Sequence, residues 1–493
     1  MSAVLLESIG AWWPEAILSL GSLLVMVLSV WEARGPNAPL PSGSRGSRQR
    51  GVYAMTWLTI LASGAALWRL HAPTNTSLFF GLIVSDPFSL ALRWIAWGSV
   101  AIVLLLLTAS REVERAVRGE CLGLILLVGV GLMLMAEANH LLMAYLSMEL
   151  VSLSSYILVG FLDEPRSAEA SLKYLLFGAL SSGIMLFGMS ILFGLTRALA
   201  FPDLLRASAA LDGPMTNALL VAVALLLAGL AFKISMVPFH MWTPDAYEGA
   251  PIAVAALLSV GPKAAGLALL LRLMSALQPA WPMLAPLALW LTILTMTLWN
   301  LVALVQTNVK RLLAYSTIGQ VGYLLIGFAI HTRLSLEGLL LYLVAYLFMN
   351  LGLFACAVAV VNDTGSESLD AFRGLSKRSP AVALLCALFL LSLAGMPPLL
   401  GFFGKFLLFG AAIEAHRSVL AIAGIVNSAI ALYYYVNILR LMYLNDPQRL
   451  EPLRPAPAIC WALGICGAAT LLLGLFPGPL FGVLQASAVV DLL

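Results

Sequence analysis

The feature that most constrains this chain is a succession of apolar runs, most of them about 18 to 25 residues long, separated by short polar connections. At 1.5 Å per residue, a helix of that length crosses roughly 30 Å of hydrocarbon. Alternating segments of about ten residues, the mark of an outer-membrane barrel, are not seen. A bilayer offers no water to exposed backbone groups, so helices that satisfy their own N–H and C=O groups are the remaining way to span it. Composition agrees: 61% of the 493 residues are hydrophobic and 10% charged, far from the balance of a soluble domain. The chain is therefore expected to be all-α and polytopic, with about fourteen transmembrane helices centred near residues 22, 61, 98, 128, 150, 184, 230, 262, 293, 321, 348, 397, 431 and 471.

A formal net charge of +3 is small for this length and argues against a nucleic-acid partner; the lipid bilayer is the partner that composition implies. Lys and Arg concentrate in the odd-numbered connections, among them Arg45, Arg48, Arg50, Arg115, Lys310, Arg311, Lys377 and Arg378. The positive-inside rule makes those connections cytoplasmic and turns both termini outward. No basic residue precedes the first apolar run, so it reads as a first span and not a cleaved signal peptide. After it, RGPNAPLPSGSRGSRQR reads as a flexible linker. Trp12, Trp13 and Trp31 read as part of an interfacial aromatic belt. Cys121, Cys356, Cys386, Cys460 and Cys466 lie scattered in apolar segments without CxxC spacing and are expected to be core fillers.

A weak internal echo divides the chain. Residues 156–161 read YILVGF and residues 323–328 read YLLIGF, and KYLL near Lys173 is followed by LYLV near Leu341 at almost the same offset. Spans 4 to 8 then correspond to spans 9 to 13. Span 7 carries Pro238 and its counterpart, span 12, carries Pro397 and Pro398. Paired, proline-interrupted helices in corresponding halves are the sign of a transport site on broken helices near the membrane midplane.

Four ionisable residues stand well inside these spans: Glu149 in span 5, Lys233 in span 7, Lys263 in span 8 and Lys405 in span 12. Each costs at least about 2.5 to 3.5 kcal/mol to insert. One account is structural, with Glu149 paired to one lysine and the other lysines snorkelling or lining an inert cavity. The other is a buried chain of exchangeable protons, which four such costs at mid-depth favour. Lysine suits that chain because, unlike arginine, it can release its proton when desolvated. A carboxylate about 4 Å away would stabilise the ammonium by roughly 4 kcal/mol at an effective dielectric near 20, so moving Glu149 relative to Lys233 would decide whether the proton stays. Prolines at the breaks free backbone carbonyls beside the lysines.

His240 and Lys173 are secondary candidates. His240, seven residues after Lys233, is either a proton carrier near neutral pH or a hydrogen-bonded helix-end histidine. Lys173, at the start of span 6, is either a proton feeder or an interfacial snorkelling lysine. Asp245 and Glu248 are expected in a turn outside the hydrocarbon, shaping that loop. No dinucleotide fingerprint, phosphate loop, HExxH or iron-sulfur cysteine set is present, so a redox centre or nucleotide hydrolysis in this chain is not expected.

At these residues the chain resembles the antiporter-like membrane subunits of NADH-quinone oxidoreductase (respiratory complex I). The segments MELVSLSSYILVGF, GLAFKISMVPFHMWTPDAYEGAP, VGPKAAG, VKRLLAYSTIGQVGYLLIG and LAGMPPLLGFFGKF carry the resemblance over residues 120–445, and the second, with GFFGKF, is most similar to the N-type subunit. Related M-type subunits typically have glutamate where Lys405 stands, and L-type subunits add a long lateral helix. The resemblance implies N-terminal helices 1–3 in residues 1–119, inverted five-helix repeats in 120–278 and 279–445, and helix 14 in 446–493. It implies Glu149 and Lys233 as a coupled pair, Lys263 as central relay and Lys405 near the outward exit, all in proton translocation. Gln320 departs from the histidine of some relatives. No cofactor is implied in this chain: FMN, iron-sulfur clusters and quinone belong to partner subunits, membrane and peripheral, in a cell inner (plasma) membrane with both termini periplasmic. A related expectation is a subunit of an Mrp-type cation/proton antiporter, of the same ancestry but without redox coupling.

Overall fold

A computed structural model describes residues 8–33, 45–70, 76–114, 117–211 and 214–488. The spans run in order: span 1 Trp13–Ala33, span 2 Arg45–Arg69, span 3 Pro87–Ala109, span 4 Arg118–Glu137, span 5 Leu141–Val159 and span 6 Pro165–Thr196. Span 7 is split into Pro214–Ile234 and Trp242–Gly249. Then come span 8 Ile252–Ala276, span 9 Trp281–Ala303, span 10 Val309–Ile330 and span 11 Arg333–Thr364. Span 12 is split into Pro380–Ala394 and Leu400–Glu414, and is followed by span 13 Ser418–Leu444 and span 14 Pro457–Leu475. Among the described residues thirteen helices are long and apolar enough to cross a membrane. Span 12 completes the fourteen as two 15-residue halves, each too short to cross alone. Arg45–Arg50, expected in the linker, begin span 2 instead, and the linker before Arg45 lies outside the described residues.

Local chemistry sets the helix ends. Asp86 caps span 3 in a reciprocal pair with Ser89, Asn308 caps span 10, and Thr332 caps span 11 with Ser335. Proline occupies the first turn of spans 3, 6, 9, 14 and the first half of 12, where its missing N–H costs nothing.

Connections stitch each end of the bundle separately. The even-numbered connections 2, 4 and 6 are joined by backbone bonds from Asn139 N to Leu82 O (3.0 Å), Leu141 N to Leu199 O (2.8 Å) and Phe201 N to Asn139 O (3.0 Å). Connection 2 carries a short antiparallel hairpin, Thr76–Leu78 against Ile83–Ser85. The odd-numbered connections 9 and 11 are tied at the opposite end by Val309 N to Glu367 O and Leu369 N to Thr307 O, both 2.8 Å, and connection 13 is tied to them by Leu453 N to Arg378 O at 3.2 Å. Every residue of span 8 is buried, as are most of spans 10 and 11, so these three form the axis around which the others pack. Cys121, Cys356, Cys386 and Cys466 are core fillers; Cys460 is not, because it lies on the outward face of span 14.

The two interruptions have the same construction. Ser235 (φ 63°) and Gly395 (φ 89°) adopt the left-handed conformation after the first half of each span. The next amides, Met236 N and Met396 N, return to Ala231 O (2.8 Å) and Leu391 O (3.0 Å), the closure of a Schellman motif. Since the two spans are five apart in an alternating bundle, they run in opposite directions, and the repeat they mark is inverted.

Spans 6 and 7 approach closely at Gly188, where an added Cβ would stand 2.7 Å from both Ala222 O and Leu226 N, backbone atoms that cannot rotate away. Gly188→Ala is therefore expected to destabilise the protein by about 1 to 3 kcal/mol. Gly183→Ala, on the same helix with nothing within 4 Å of the new carbon, should be neutral. Thermal melting in detergent compares them; equal melting temperatures would refute the close packing.

Candidate functional site

Glu149 and Lys233 stand on facing helices but do not form the direct pair expected from the sequence. Lys233, in the last turn before the break in span 7, is wholly buried and donates its Nζ to Ser152 Oγ at 3.0 Å. Ser152 sits three residues after Glu149, on the same face of span 5. The half-buried Glu149 carboxylate instead accepts a hydrogen bond from Ser182 of span 6. No ion pair within 4.0 Å joins Glu149 to a lysine among the described residues. A neutral hydroxyl thus stands next to the ammonium, and the carboxylate is turned to a neighbouring helix.

Lys263 is also wholly buried, and its Nζ has no hydrogen-bond partner. It lies over the rings of Trp242, 4.6 Å from the centroid, and Tyr247, at 5.5 Å, both from the second half of span 7. The break orients that aromatic surface. Trp242 Nε1 donates to Phe232 O at 2.9 Å, a carbonyl near the end of the first half, and the indole stacks on Tyr174 of span 6 at 4.2 Å. Cation–π contact is worth about 0.5 to 2 kcal/mol, which leaves three ammonium donors without an acceptor.

At the other break, Lys405 donates to Leu393 O at 2.9 Å, and more weakly to Ala394 O and Ser428 Oγ, each at 3.4 Å. Its Nζ lies 4.1 Å from the centre of the Tyr323 ring. The two carbonyls end the first half of span 12, where the helix supplies them no amide. Gln320 of span 10 completes this group: Nε2 donates to Tyr435 Oη (3.0 Å) and Leu393 O (3.4 Å), while Oε1 accepts from Tyr342 Oη. Nearer span 8, Tyr346 Oη donates to Thr317 Oγ1 at 3.0 Å and Asn350 Nδ2 to Ser259 Oγ at 2.6 Å. Sequence reasoning named Gln320 but not this tyrosine set, which only the meeting of spans 10, 11 and 13 assembles.

His240 lies within the break of span 7. It is 4% exposed, with its ring 4.1 Å from that of Trp299 and neither nitrogen hydrogen-bonded. It lines an open cleft of about 730 Å³ with Lys173, Asp245, Trp299, Arg311 and Tyr315. Lys173 is half-exposed and pairs with Glu169 at 2.8 Å and Asp245 at 3.1 Å. Asp245 and Glu248 are not in a turn: they belong to the helix Trp242–Gly249, because that segment continues span 7 past the break. Arg311 joins them, and Arg166, Glu367 and the buried Lys310 extend the ion pairs to Glu112. The Glu112 carboxylate in turn accepts Ile252 N at 2.8 Å at the start of span 8. Burial pushes the Glu112 carboxyl up from its ordinary value, partly offset by Lys310.

A second buried charge group corrects the view that ionisable residues inside the spans are limited to Glu149 and three lysines. Arg93 of span 3 makes two hydrogen bonds to Glu15 of span 1, Nε to Oε1 at 2.9 Å and Nη2 to Oε2 at 2.8 Å. Its Nη1 lies 2.8 Å from Glu137 Oε1 at the end of span 4. Arg272 of span 8 donates to Asp86 Oδ2 at 2.6 Å and Ala136 O at 3.0 Å. Opposite charges near the same ends of several spans were the available signal.

Residues 138–431 match the family described as NADH:quinone oxidoreductase/Mrp antiporter, TM. The chain is 41% identical over 500 residues to NADH-quinone oxidoreductase subunit N 2 of Sorangium cellulosum, covering 96% of each chain. It is 40% identical over 447 residues to NAD(P)H-quinone oxidoreductase subunit 2 of Synechococcus elongatus, covering 87% of this chain and 85% of the relative. A chain of respiratory complex I from Thermus thermophilus superposes with a TM-score of 0.78 at 31% identity, covering 96% of this chain and 99% of that one. A chain of the Mrp complex from Dietzia sp. superposes with a TM-score of 0.82 over 97% of each, but its 22% identity shows the shared fold alone. With a family match over more than half its length and relatives aligned across nearly all of it, the chain belongs to the antiporter-like membrane-subunit family of NADH:quinone oxidoreductases and Mrp antiporters.

Proposed function

We propose that the chain is the N-type proton-translocating membrane subunit of an NADH-quinone oxidoreductase, and that Lys233, Lys263 and Lys405 hold the protons it moves. The observation that carries this reading is the row itself. Three wholly or almost wholly buried lysines, two of them beside helix breaks, meet hydroxyls, carbonyls and aromatic faces and, among the described residues, no carboxylate within 4.0 Å. A structural lysine is normally neutralised by an ion pair; these three can lose their charge without stranding a partner.

The steps follow from the partners. With Glu149 turned from Ser182 toward Lys233, the carboxylate favours the ammonium; with Glu149 returned to Ser182, Lys233 keeps only the Ser152 hydroxyl and gives up its proton. Lys263, with no hydrogen-bonded acceptor, is the next holder. Gln320 is a poor acid or base, so the hydroxyls of Tyr342 and Tyr435 and intervening water take the proton past it toward Lys405. The cleft with His240 and Lys173 admits protons at the odd-loop face, which we place in the cytoplasm, with both termini periplasmic. Residues 120–278 and 279–445 are the two antiporter-like repeats across which the row runs. Electron transfer occurs in partner subunits, which hold FMN, the iron-sulfur clusters and the quinone, and acts on Glu149 electrostatically.

Proton uptake into sealed, inverted vesicles driven by NADH tests the pair. Glu149→Ala should reduce both NADH oxidation and uptake to below about a tenth of native, a change worth roughly 1.4 kcal/mol in barrier, while a native gel shows the complex assembled. Native rates in that variant would leave the chain a structural module. Lys405→Arg separates charge from exchange: arginine keeps the cation but does not release its proton. Uptake should be lost in assembled complex; normal pumping would remove Lys405 from the path.

A further inference from the structure

The buried group formed by Glu15, Asp86, Arg93, Glu137 and Arg272 lies outside the lysine row, at the even-loop end of the bundle. Arg272 is nine residues beyond Lys263 on span 8, about 13 Å along the helix axis. Its three carboxyls and two guanidiniums sum to one negative charge if all are ionised, and an uncompensated charge in such surroundings is costly.

The hydrogen bonds show where compensation is missing. Glu15 receives a bidentate pair from Arg93. Asp86 accepts Ser89 N and Arg272 Nη2, both at 2.6 Å. These are strong, charge-assisted arrangements, each made to a guanidinium. Glu137 is buried to 0% exposure and neither of its oxygens has a hydrogen bond, although Oε1 stands 2.8 Å from Arg93 Nη1. Among the described residues the charged groups around it are Arg93 and Asp86 from span 3 and its cap, Glu15 from span 1 and Arg272 from span 8; Ala11 O accepts a second bond from Arg93 Nη2, and Ala136 O accepts from Arg272 Nε.

We propose that Glu137 is a second proton-binding site, holding one proton on Oε2 while Oε1 faces Arg93. A proton there makes the group electrically neutral. Its loss or return changes the charge buried beneath the hairpin of connection 2 by one unit, independently of the lysine row.

The test is infrared spectroscopy of the assembled complex in membranes, in H2O and D2O, in the carbonyl-stretch region of protonated carboxylic acids. The native complex should show a deuterium-sensitive band that disappears in Glu137→Gln and is displaced, not lost, in Glu137→Asp. Identical native and Glu137→Gln spectra would overturn the proposal. So would failure of Glu137→Gln to assemble, since glutamine is isosteric with the protonated acid and leaves the group neutral.

Discussion

Backbone carbonyls that lose their helical amides inside a membrane are the constraint on which this structure turns. Hydrocarbon cannot satisfy them, so each break in spans 7 and 12 has to supply its own donors. A Schellman closure takes part of the load in both. The remainder is met by side chains: Trp242 on Phe232 O in span 7, and Lys405 on Leu393 O and Ala394 O in span 12. In span 7 this fixes the indole face that Lys263 meets; in span 12 it positions the lysine directly.

Two kinds of buried charge coexist as a result. The arginines at the even-loop end face carboxyl groups, and because arginine never gives up its proton the guanidiniums stay charged around Glu137. The lysines along the middle have neutral partners instead, Ser152 Oγ for Lys233 and Leu393 O for Lys405. At the odd-loop end, ion pairs from Lys173 through Asp245, Arg311, Glu248, Arg166 and Glu367 to Lys310 tie spans 6, 7 and 10 to the connection after span 11. Its Lys173, Asp245 and Arg311 line the cleft in which His240 sits.

The spans and both breaks were legible because hydrophobic length and proline placement are local properties. The four mid-span ionisable residues were legible for the same reason: a charge in an apolar run stands out. Arg93, Glu137 and Arg272 escaped notice because they lie near span ends, where a sequence does not separate a charge at the interface from one turned inward. The Glu149/Lys233 pair was expected from the family resemblance and from the mid-span depth of both residues. Rotation about the helix axes, which depth does not specify, presents Ser152 to the lysine and Ser182 to the carboxylate.

By itself, then, the sequence determined that this chain crosses a membrane many times as helices, that two of those helices are interrupted, and that lysines stand in the middle of its spans. These follow from length, apolarity and the missing proline amide, each readable within a single segment. The tertiary structure alone decided what each charge faces. Ser152 and Lys233 are 81 residues apart, Glu15 and Arg93 are 78 apart, and Gln320 and Tyr435 are 115 apart; contacts over such separations depend on how helices are rotated and shifted against one another, which only packing fixes.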